Sequence, residues 1–415
     1  MSAPQQTRPT TRISSPARAI LTAGVVTLLA TALVLAHEQE FGEALPGTGH
    51  VGDPLLPVDG QILDFAAENV AMLSWLTPED ISGGVQRAND VWGYVSPSGR
   101  EYAIVGLQAG TAFIEVTDPI NPKVIEIIPG AESIWRDMAV YKSYAYSVNE
   151  TDGGMQIIDL SRIDRGKVRL RGNLTAGGLS RAHNISINED SGFAYLSGSN
   201  LADGGLVAID LANPLEPVLE TGTWPFAYIH DMQVVSYTKG GNAGREIAFA
   251  FAADTGVQII DVTNKANPFT VSTVRYPGIA YTHSGWLDRK RKFLFVNDEL
   301  DELDRTVNQT TTYVLKVKDL ENPRFVKAFS NGMESIDHNC MVVGKRLYEA
   351  NYTTGLRVFD VTKPKKAREM AHFDTYPETD HAEFAGAWGV YAALPSGVVL
   401  ISDVQRGLFV LLPPE

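Results

Sequence analysis

The sequence has 415 residues, of which 44% are hydrophobic and 20% are charged, a composition typical of globular proteins. Its formal net charge is -14 at pH 7. Because nucleic-acid backbones and anionic membrane surfaces attract basic proteins, this charge predicts that neither is a partner. Cys340 is the only cysteine, so an intrachain disulfide is excluded and stability must come from packing.

Residues 1–36 are predicted to be a signal peptide or an N-terminal membrane anchor. A polar segment with three arginines leads into the apolar run 19–36, which ends on the small residue Ala36. This pattern favours a cleaved secretory signal. An uncleaved anchor is the alternative, because the run is close to the length that spans a bilayer. In either case we expect an extracytoplasmic protein (secreted, periplasmic or on the cell surface) that meets a membrane only through this segment.

Residues 37–68 are predicted to be a linker or an irregular lead-in, because they are rich in Gly, Pro and acidic residues. A repeated β unit occupies residues 69–415. The unit combines a strand with many β-branched residues, a turn that often contains Asn-Pro, and a second strand. Copies begin at Thr111, Gly154, Gly205, Gly256, Thr311 and Gly355, and a truncated copy begins at Gly407.

Each copy divides into four strands separated by Gly-, Asn- and Asp-rich turns. In the fourth copy the predicted strands are 230–237, 246–251, 256–262 and 268–274. A pair of residues opens each copy, at spacings of 47, 47, 47, 53, 55 and 49 residues. These pairs are Asn89-Asp90, Arg136-Asp137, His183-Asn184, His230-Asp231, His283-Ser284, His338-Asn339 and Ala387-Trp388.

Seven four-stranded units of this length predict an all-β fold, a seven-bladed β-propeller. The last copy lacks its fourth strand, whereas the strand 69–76 precedes the first complete copy and has no partner there. We therefore expect this N-terminal strand to complete the last blade and to cover its exposed edge. The alternative, an open β-solenoid, would not need that exchange.

The repeat cores MQIIDL, VQIIDV and LRVFDV resemble the LVIVD repeat. The order of SIWRDMAVY, AHNISIN, IHDMQVV, YTHSGWL and the motifs that follow them resembles the bacterial choice-of-anchor B family, over about residues 69–412. This resemblance implies an exported protein with a propeller-like repeat domain. It carries over no catalytic residues, because the family has no established activity.

The candidate site is the ring at which the innermost strands would begin. Four of the eight histidines occupy the same position in consecutive repeats, and carboxylates stand next to this position in several copies. Imidazole and carboxylate groups together suit a divalent metal such as zinc, and mouths of closed β structures often bind ligands. The predicted ligand-binding residues are Asp90, Arg136, Asp137, His183, Asn184, His230, Asp231, His283, His338 and Asn339, with His183, His230, His283 and His338 as the metal ligands.

The alternative is that the histidines only tie neighbouring blades together by hydrogen bonds. Residues two and four positions after each histidine are mostly apolar, such as Ile185 and Ile187 after His183. This pattern favours a histidine face packed against the next blade. The opposite face, which carries the aspartates and asparagines of the ring, is then the better candidate for the channel lining.

The acidic loop 297–304 is a second candidate site, because dense carboxylates could bind calcium. It lacks the spacing of an EF-hand, so a solvated acidic loop is the favoured interpretation. Trp92 and Trp286 stand at equivalent places in their repeats, which favours packing over a platform for sugars.

We expect a binding or interaction module that recognises an unknown protein or surface ligand, without catalysis and without a cofactor other than a divalent metal, zinc or calcium. The alternative is a metal-dependent hydrolase in which the histidine ring holds zinc and activates water. A third reading is a structural cell-surface protein with no small ligand. The sequence contains no P-loop, no dinucleotide-binding fingerprint and no H-E-x-x-H motif.

Overall fold

Seven antiparallel sheets follow one another along the chain, and each supplies one blade of an all-β, seven-bladed β-propeller. The computed structural model describes residues 41–45, 47–84 and 86–414. Residues 43–415 form one compact unit, to which the following description applies. The predicted signal or anchor, 1–36, lies outside the described residues. Within the described ranges, none of the helices has both the length and the apolar character needed to cross a bilayer.

Blades 1 to 4 each use four consecutive strands. Blade 1 has Ala88–Val95, Glu101–Leu107, Gly110–Glu115 and Lys123–Pro129. Blade 2 has Arg136–Tyr141, Tyr144–Asn149, Met155–Arg162 and Lys167–Leu174. Blade 3 has Asn184–Asn188, Phe193–Ser197, Leu206–Asp210 and Val218–Trp224. Blade 4 has Asp231–Ser236, Glu246–Phe251, Val257–Asp261 and Phe269–Val274, which agrees with the predicted strands to within one or two residues.

Blades 5 and 6 follow the same plan. Blade 5 has Thr282–Leu287, Phe293–Asp298, Thr311–Lys316 and Arg324–Ser330. Blade 6 has Asn339–Val343, Arg346–Ala350, Leu356–Asp360 and Arg368–Phe373. A hairpin of Gln61–Ile62 and Phe65–Glu68 extends blade 6, because Phe65–Glu68 pairs with its outermost strand. Phe65 packs against Trp75, Phe373 and Phe409 at ring-centroid distances of 5.3–5.5 Å.

Blade 7 confirms the predicted closure. Its strands are Ala387–Tyr391, Val399–Asp403, Gly407–Leu412 and the N-terminal strand Ala71–Leu76. The N-terminal strand pairs antiparallel with Gly407–Leu412, with Ala71 opposite Leu412 and Leu76 opposite Leu408. The innermost strand of blade 7 also contacts that of blade 1, so the ring is closed and the open solenoid is excluded.

Hydrophobic clusters fill the interfaces between neighbouring blades. Between blades 5 and 6, for example, Phe295 and Val314 pack against Leu347 and Phe359. Burying an aliphatic or aromatic side chain of this size contributes about 1.5–3 kcal/mol. The core of the propeller is therefore a ring of inter-blade contacts, and a single blade could not bury its faces alone.

Helical structure in the described residues is limited to short segments. The α-helix α1, Pro78–Ser82, begins at Thr77, whose side chain and Asp80 form a capping box. Single turns of 3-10 helix occur at Ile163–Arg165, Ala176–Gly178, Ala202–Gly204, Gly240–Asn242 and Pro364–Lys366.

The antiparallel order of the strands decides which residues meet at each end of the channel. The innermost strand of every blade begins at one end, and the second strand of that blade ends there. In blade 5, for example, Thr282 at the start of the first strand is paired with Asp298 at the end of the second. The loops that follow the second strands therefore border the same end of the channel as the predicted ring.

Candidate functional site

The starts of the innermost strands surround one end of the central channel, which we call the mouth. A cavity of about 20 Å³ lies there, enough for one water molecule or one ion. Nine of the ten predicted site residues line this cavity, and Asp231 lines the adjoining channel. The lining of the mouth consists of Asp90, Trp135, Arg136, Asp137, His183, Asn184, His230, His283, His338, Asn339 and Trp388.

The four repeated histidines form a continuous row of imidazole rings across blades 3 to 6. The ring centroids of His183 and His230 are 3.9 Å apart, those of His230 and His283 are 3.9 Å apart, and those of His283 and His338 are 4.3 Å apart. His230 and His283 are 6% and 2% exposed. Their Nδ1 atoms are buried. Each of the two imidazoles also interacts with the backbone of the next histidine in the row, His230 with His283 and His283 with His338.

The two outer histidines connect blades. His338 Nδ1 lies 2.7 Å from the carbonyl oxygen of Trp388, which joins blade 6 to blade 7. His183 Nδ1 lies 2.5 Å from Oε1 of Glu150, a residue of the loop after the second strand of blade 2. The two ends of the row therefore tie blade 3 to blade 2 and blade 6 to blade 7.

Glu299 brings a carboxylate to the central histidines. It follows the second strand of blade 5, and its donor oxygen lies with donor nitrogens of His230 and His283 in a group whose atoms are all within 4.8 Å of one another. Nε2 of His283 is 3.6 Å from Oε2 of Glu299, and Nε2 of His338 is 3.6 Å from Oε1. These separations exceed a hydrogen bond but match two ligands of a tetrahedral zinc ion, which lie roughly 3.3–3.6 Å apart.

Burial sets the protonation of the histidine row. It lowers the pKa of His230 and of His283 well below the usual range, and the neighbouring imidazoles lower both further. It also lowers the pKa of His338 to about 3. These three imidazoles are therefore neutral at pH 7, which is the form that binds a metal.

His183 differs from the other three histidines. Burial alone would lower its pKa, but the Glu150 carboxylate at 2.5 Å, with help from Glu299 and Asp231, outweighs burial and raises the pKa. His183 therefore carries a proton more readily than the other three histidines of the row.

The carboxylate of Glu299 is partly buried, with 14% of its side chain exposed, and has few partners that would stabilise its charge. Burial raises its pKa to about 7, and the hydrogen bond from Tyr352 only partly opposes this. The Tyr352 hydroxyl donates that bond to Oε1 at 2.8 Å. Tyr352 has a φ of 30°, a backbone conformation that is strained for a residue with a side chain and that clusters at functional sites.

The aspartates of the ring lie between the mouth and a larger cavity of about 350 Å³ in the channel. Burial raises the pKa of Asp231 to about 7, and burial together with the Asp90 charge raises the pKa of Asp137 well above its usual range. Asp137 also accepts hydrogen bonds from the backbone N–H of Met138 at 2.6 Å and of Ile185, in the next blade, at 2.7 Å. Asp137 is thus also an inter-blade tie.

The channel cavity continues the site away from the mouth. Four residues line both cavities, so the two adjoin: Asp90, Asp137, Asn184 and Asn339. Trp92, Trp286 and Met341 supply apolar surface to the larger cavity. Trp92 also packs edge-on against Tyr391 at 5.1 Å, so it contributes both to packing and to the channel lining.

Arg136 takes a structural position among the predicted site residues. It is 1% exposed, and its Nε donates to the carbonyl oxygen of Leu107 in blade 1 at 3.0 Å. Burial lowers its pKa to about 10, so it remains charged at pH 7. Its guanidinium therefore joins blades 1 and 2 at the mouth.

Most of the acidic loop 297–304 is buried or partly buried and only Asp304 at its end is exposed, so the favoured interpretation as a solvated loop is wrong for most of it. Asp298 and Asp301 are fully buried, and Glu302 is 5% exposed. The loop is drawn inward because Asp298 accepts hydrogen bonds from the Tyr281 N–H and the Tyr276 hydroxyl. Its composition did not reveal this burial.

Sequence reasoning missed Glu299, Glu150 and Tyr352 as part of the site. Glu150 and Glu299 each follow directly after the second strand of their blade, Tyr144–Asn149 and Phe293–Asp298. The ends of the second strands are equivalent positions in the repeat, like the starts of the first strands, and this equivalence is the sequence signal that places both glutamates at the mouth.

Comparisons with known proteins support the repeat and the fold. Residues 248–275 match the LVIVD repeat, and this segment covers most of the second strand and all of the third and fourth strands of blade 4. No curated protein matches the chain. A functionally unknown protein from Desulfotomaculum acetoxidans is 14% identical, with a TM-score of 0.51 over 72% of this chain and 88% of that one.

A second solved structure gives the same result. A protein from Lactobacillus plantarum is 14% identical, with a TM-score of 0.53 over 77% of this chain and 89% of that one. At this level of identity the likeness is one of fold. The chain is therefore a β-propeller with an LVIVD repeat, and its function has to be argued from the mouth itself.

Proposed function

We propose that the protein is an exported binding module that recognises its ligand at the mouth of the propeller, and that a divalent transition-metal ion of the zinc class is part of this site. The observation that carries the proposal is the convergence of His230, His283 and Glu299 within 4.8 Å. Two imidazoles and one carboxylate are a donor set that zinc uses in proteins. His338, 3.6 Å from Glu299, borders the same position.

Protonation and space also support a bound metal. The two central histidines are neutral at pH 7, and a cation beside Glu299 would stabilise the ionised carboxylate. The mouth cavity of about 20 Å³ has room for an ion but not for an organic ligand. The adjoining cavity of about 350 Å³ is within the range of small-molecule sites and would hold the rest of the ligand.

Export remains part of the proposal. It is supported by the arginine-bearing, apolar N-terminal segment and by the resemblance to the choice-of-anchor B family. A purely structural role requires no metal at the mouth, so metal binding is the property that separates this proposal from such a role.

Calorimetric titration of the purified, chelator-treated full-length protein with zinc tests the proposal. We expect about one zinc per chain, and at least a 100-fold loss of affinity in His230→Ala and in Glu299→Gln, since even partners outside the ligand shell are worth 10–100-fold. His381→Ala is the matched control, because His381 is 80% exposed and pairs with Glu334 away from the group.

Two results would overturn the proposal. One is a wild-type protein that binds no zinc. The other is zinc binding that survives in His230→Ala and in Glu299→Gln but is lost in His381→Ala, which would place the metal at the surface. Circular dichroism of each variant shows whether the propeller has remained folded.

A metal-dependent hydrolase is the second candidate function, and His183 favours it. Its ring is 3.9 Å from that of His230, and Glu150 raises its pKa, so a proton donor stands beside the proposed metal. Zinc at this position would lower the pKa of a bound water to about 7. His183 could then protonate a leaving group at the channel side of the mouth.

Zinc-loaded protein and chromogenic ester and phosphate substrates distinguish the two functions. A hydrolase predicts turnover that falls by about 10²–10⁴-fold in His183→Gln while zinc stays bound. A binding module predicts zinc binding with no turnover above that of His230→Ala.

A further inference from the structure

We infer that the protein contains a second, buried cation site of a different chemical class, a calcium site formed by Asp301, Glu302 and Asp337. Asp301 and Glu302 belong to the segment between the second and third strands of blade 5, and Asp337 lies two residues before the first strand of blade 6. Carboxylate oxygens of the three residues all lie within 4.8 Å of one another. Asp301 and Asp337 are fully buried and Glu302 is 5% exposed.

One oxygen of each carboxylate is held by the protein. The Tyr313 hydroxyl donates to Asp301 Oδ2 at 2.6 Å, and the Thr311 N–H donates to Glu302 Oε1 at 2.9 Å. The Asp298 N–H lies 3.2 Å from Asp337 Oδ1. These bonds come from the second and third strands of blade 5 and fix the orientation of the three groups.

The other oxygen of each carboxylate, Asp301 Oδ1, Glu302 Oε2 and Asp337 Oδ2, is buried and has no hydrogen-bond partner outside the group. Within the group, the carboxyl groups of Asp301 and Glu302 interact with each other. A buried carboxylate oxygen without a partner costs a large part of its hydration energy, and three in one place are rare in a protein interior. Among the described residues, none of the three carboxylates forms an ion pair with Lys or Arg. A cation is the partner that these oxygens lack.

Neighbouring carboxylates show that burial alone does not produce such free oxygens. Asp298 accepts from the N–H groups of Tyr281 and Ala280 and from the Tyr276 hydroxyl, at 2.6–3.1 Å. Glu349 accepts from the Thr312 hydroxyl at 2.7 Å and from the Asn351 amide at 3.1 Å. Both are fully buried, and both have partners on their two oxygens. In this part of the protein, Asp301, Glu302 and Asp337 are the carboxylates that each keep an oxygen without a partner outside their own group.

The donor set selects the kind of ion. It contains only hard carboxylate oxygens and no imidazole or thiolate, which suits calcium and not zinc. Calcium also tolerates irregular coordination, whereas magnesium demands near-ideal octahedral geometry and retains several waters. The ion would join the blade 5 insertion to the start of blade 6. That insertion begins at Glu299, so calcium would also hold in place the loop that carries this residue.

Calcium-dependent stability of the full-length protein tests the site. After chelator treatment and desalting, we expect calcium at about 100 times its Kd to raise Tm by about 3–4 °C. Asp337→Asn and Glu302→Gln should abolish this shift. Glu349→Gln is the matched control, since it alters a buried carboxylate of the same region whose oxygens have partners, and it should keep the shift.

Terbium luminescence provides a second measurement that does not depend on unfolding. Terbium occupies calcium sites, and Tyr313, whose hydroxyl is 2.6 Å from Asp301, is positioned to sensitise its emission. We expect a tyrosine-sensitised signal that calcium displaces and that is lost in Glu302→Gln. Glu299→Gln should retain both responses, which separates this site from the proposed zinc site.

The inference is overturned by a wild-type protein with neither a calcium-dependent Tm shift nor displaceable terbium emission. It is equally overturned if both responses persist in Asp337→Asn and Glu302→Gln, or if magnesium produces them and calcium does not. A variant that fails to fold is detected by circular dichroism, and the wild-type titrations then decide alone.

Discussion

Two glutamates at opposite ends of the propeller show how a structural polar site differs from a candidate binding site. Glu246 begins the second strand of blade 4 at the end away from the mouth, and Glu299 follows the second strand of blade 5 at the mouth. Glu246 accepts hydrogen bonds at 2.7 Å from Lys265 and from three side chains of blade 3, Asn188, Ser191 and Tyr195. From the residues that the structure describes, Glu299 accepts one side-chain hydrogen bond, from Tyr352.

The pKa values of the two glutamates shift in opposite directions, because Glu246 has more hydrogen-bond partners than Glu299. Burial raises the pKa of Glu299 to about 7. Burial would also raise the pKa of Glu246, but its four hydrogen-bond partners outweigh burial and the pKa is lowered. A carboxylate that only joins blades is fully compensated by the protein. The carboxylate at the mouth has less compensation, as expected for a candidate binding site.

Replacing each glutamate with glutamine should give the largest contrast. Glu246→Gln breaks the buried pair with Lys265, and we expect a loss of about 3–5 kcal/mol in the free energy of unfolding. Glu299→Gln removes a poorly compensated charge, and we expect a change below about 1 kcal/mol in metal-free protein. Denaturant unfolding of both variants measures these values. Equal losses would show that Glu299 is structural as well.

Tyr352→Phe should give a smaller, selective effect. The substitution removes the hydroxyl that orients Glu299, so we expect zinc affinity to fall about 10-fold, the lower end for a partner of a metal ligand. Tyr195→Phe is the matched control, because Tyr195 makes the equivalent bond to Glu246. Zinc titration of both variants should show a change only for Tyr352→Phe. Unchanged affinity in Tyr352→Phe would contradict a role for this hydroxyl at the metal.

The pH dependence of stability should reveal the smallest effect. Because folding lowers the pKa of Glu246, its contribution is present above the usual value of 4.5 and is lost as the pH falls through the folded-state pKa. Wild-type protein should therefore lose stability relative to Glu246→Gln below about pH 4.5. A stability difference that stays constant from pH 7 to pH 3 would contradict this assignment.

The fold could be predicted from the sequence because the same four-strand pattern recurs in every blade. Seven copies of the same strand pattern fix the number of blades, and the missing strand of the last copy predicts its replacement by Ala71–Leu76. The hairpin at 61–68 has no counterpart in the repeats, and its pairing with blade 6 depends on a surface that exists only in the folded protein.

The site was only partly predictable, because some of its residues stand at repeated positions and others lie in loops that differ between the repeats. His183, His230, His283 and His338 stand at equivalent positions in regular strands, so their proximity follows from the repeat. Glu150 and Glu299 come from loops of different length, and their distance to the histidines depends on how these loops fold back. The burial of Asp301 and Glu302 depends on partners such as Tyr313 and Thr311, which sequence composition does not reveal.

Anomalous X-ray diffraction from crystals equilibrated with zinc, recorded on both sides of the zinc absorption edge, tests the central claim most directly. The account predicts one strong peak at the mouth, about 2.0–2.2 Å from a nitrogen of His230, a nitrogen of His283 and an oxygen of Glu299. A mouth without an anomalous peak in crystals that bind zinc elsewhere would contradict it, and the histidine row would then be a set of inter-blade contacts alone.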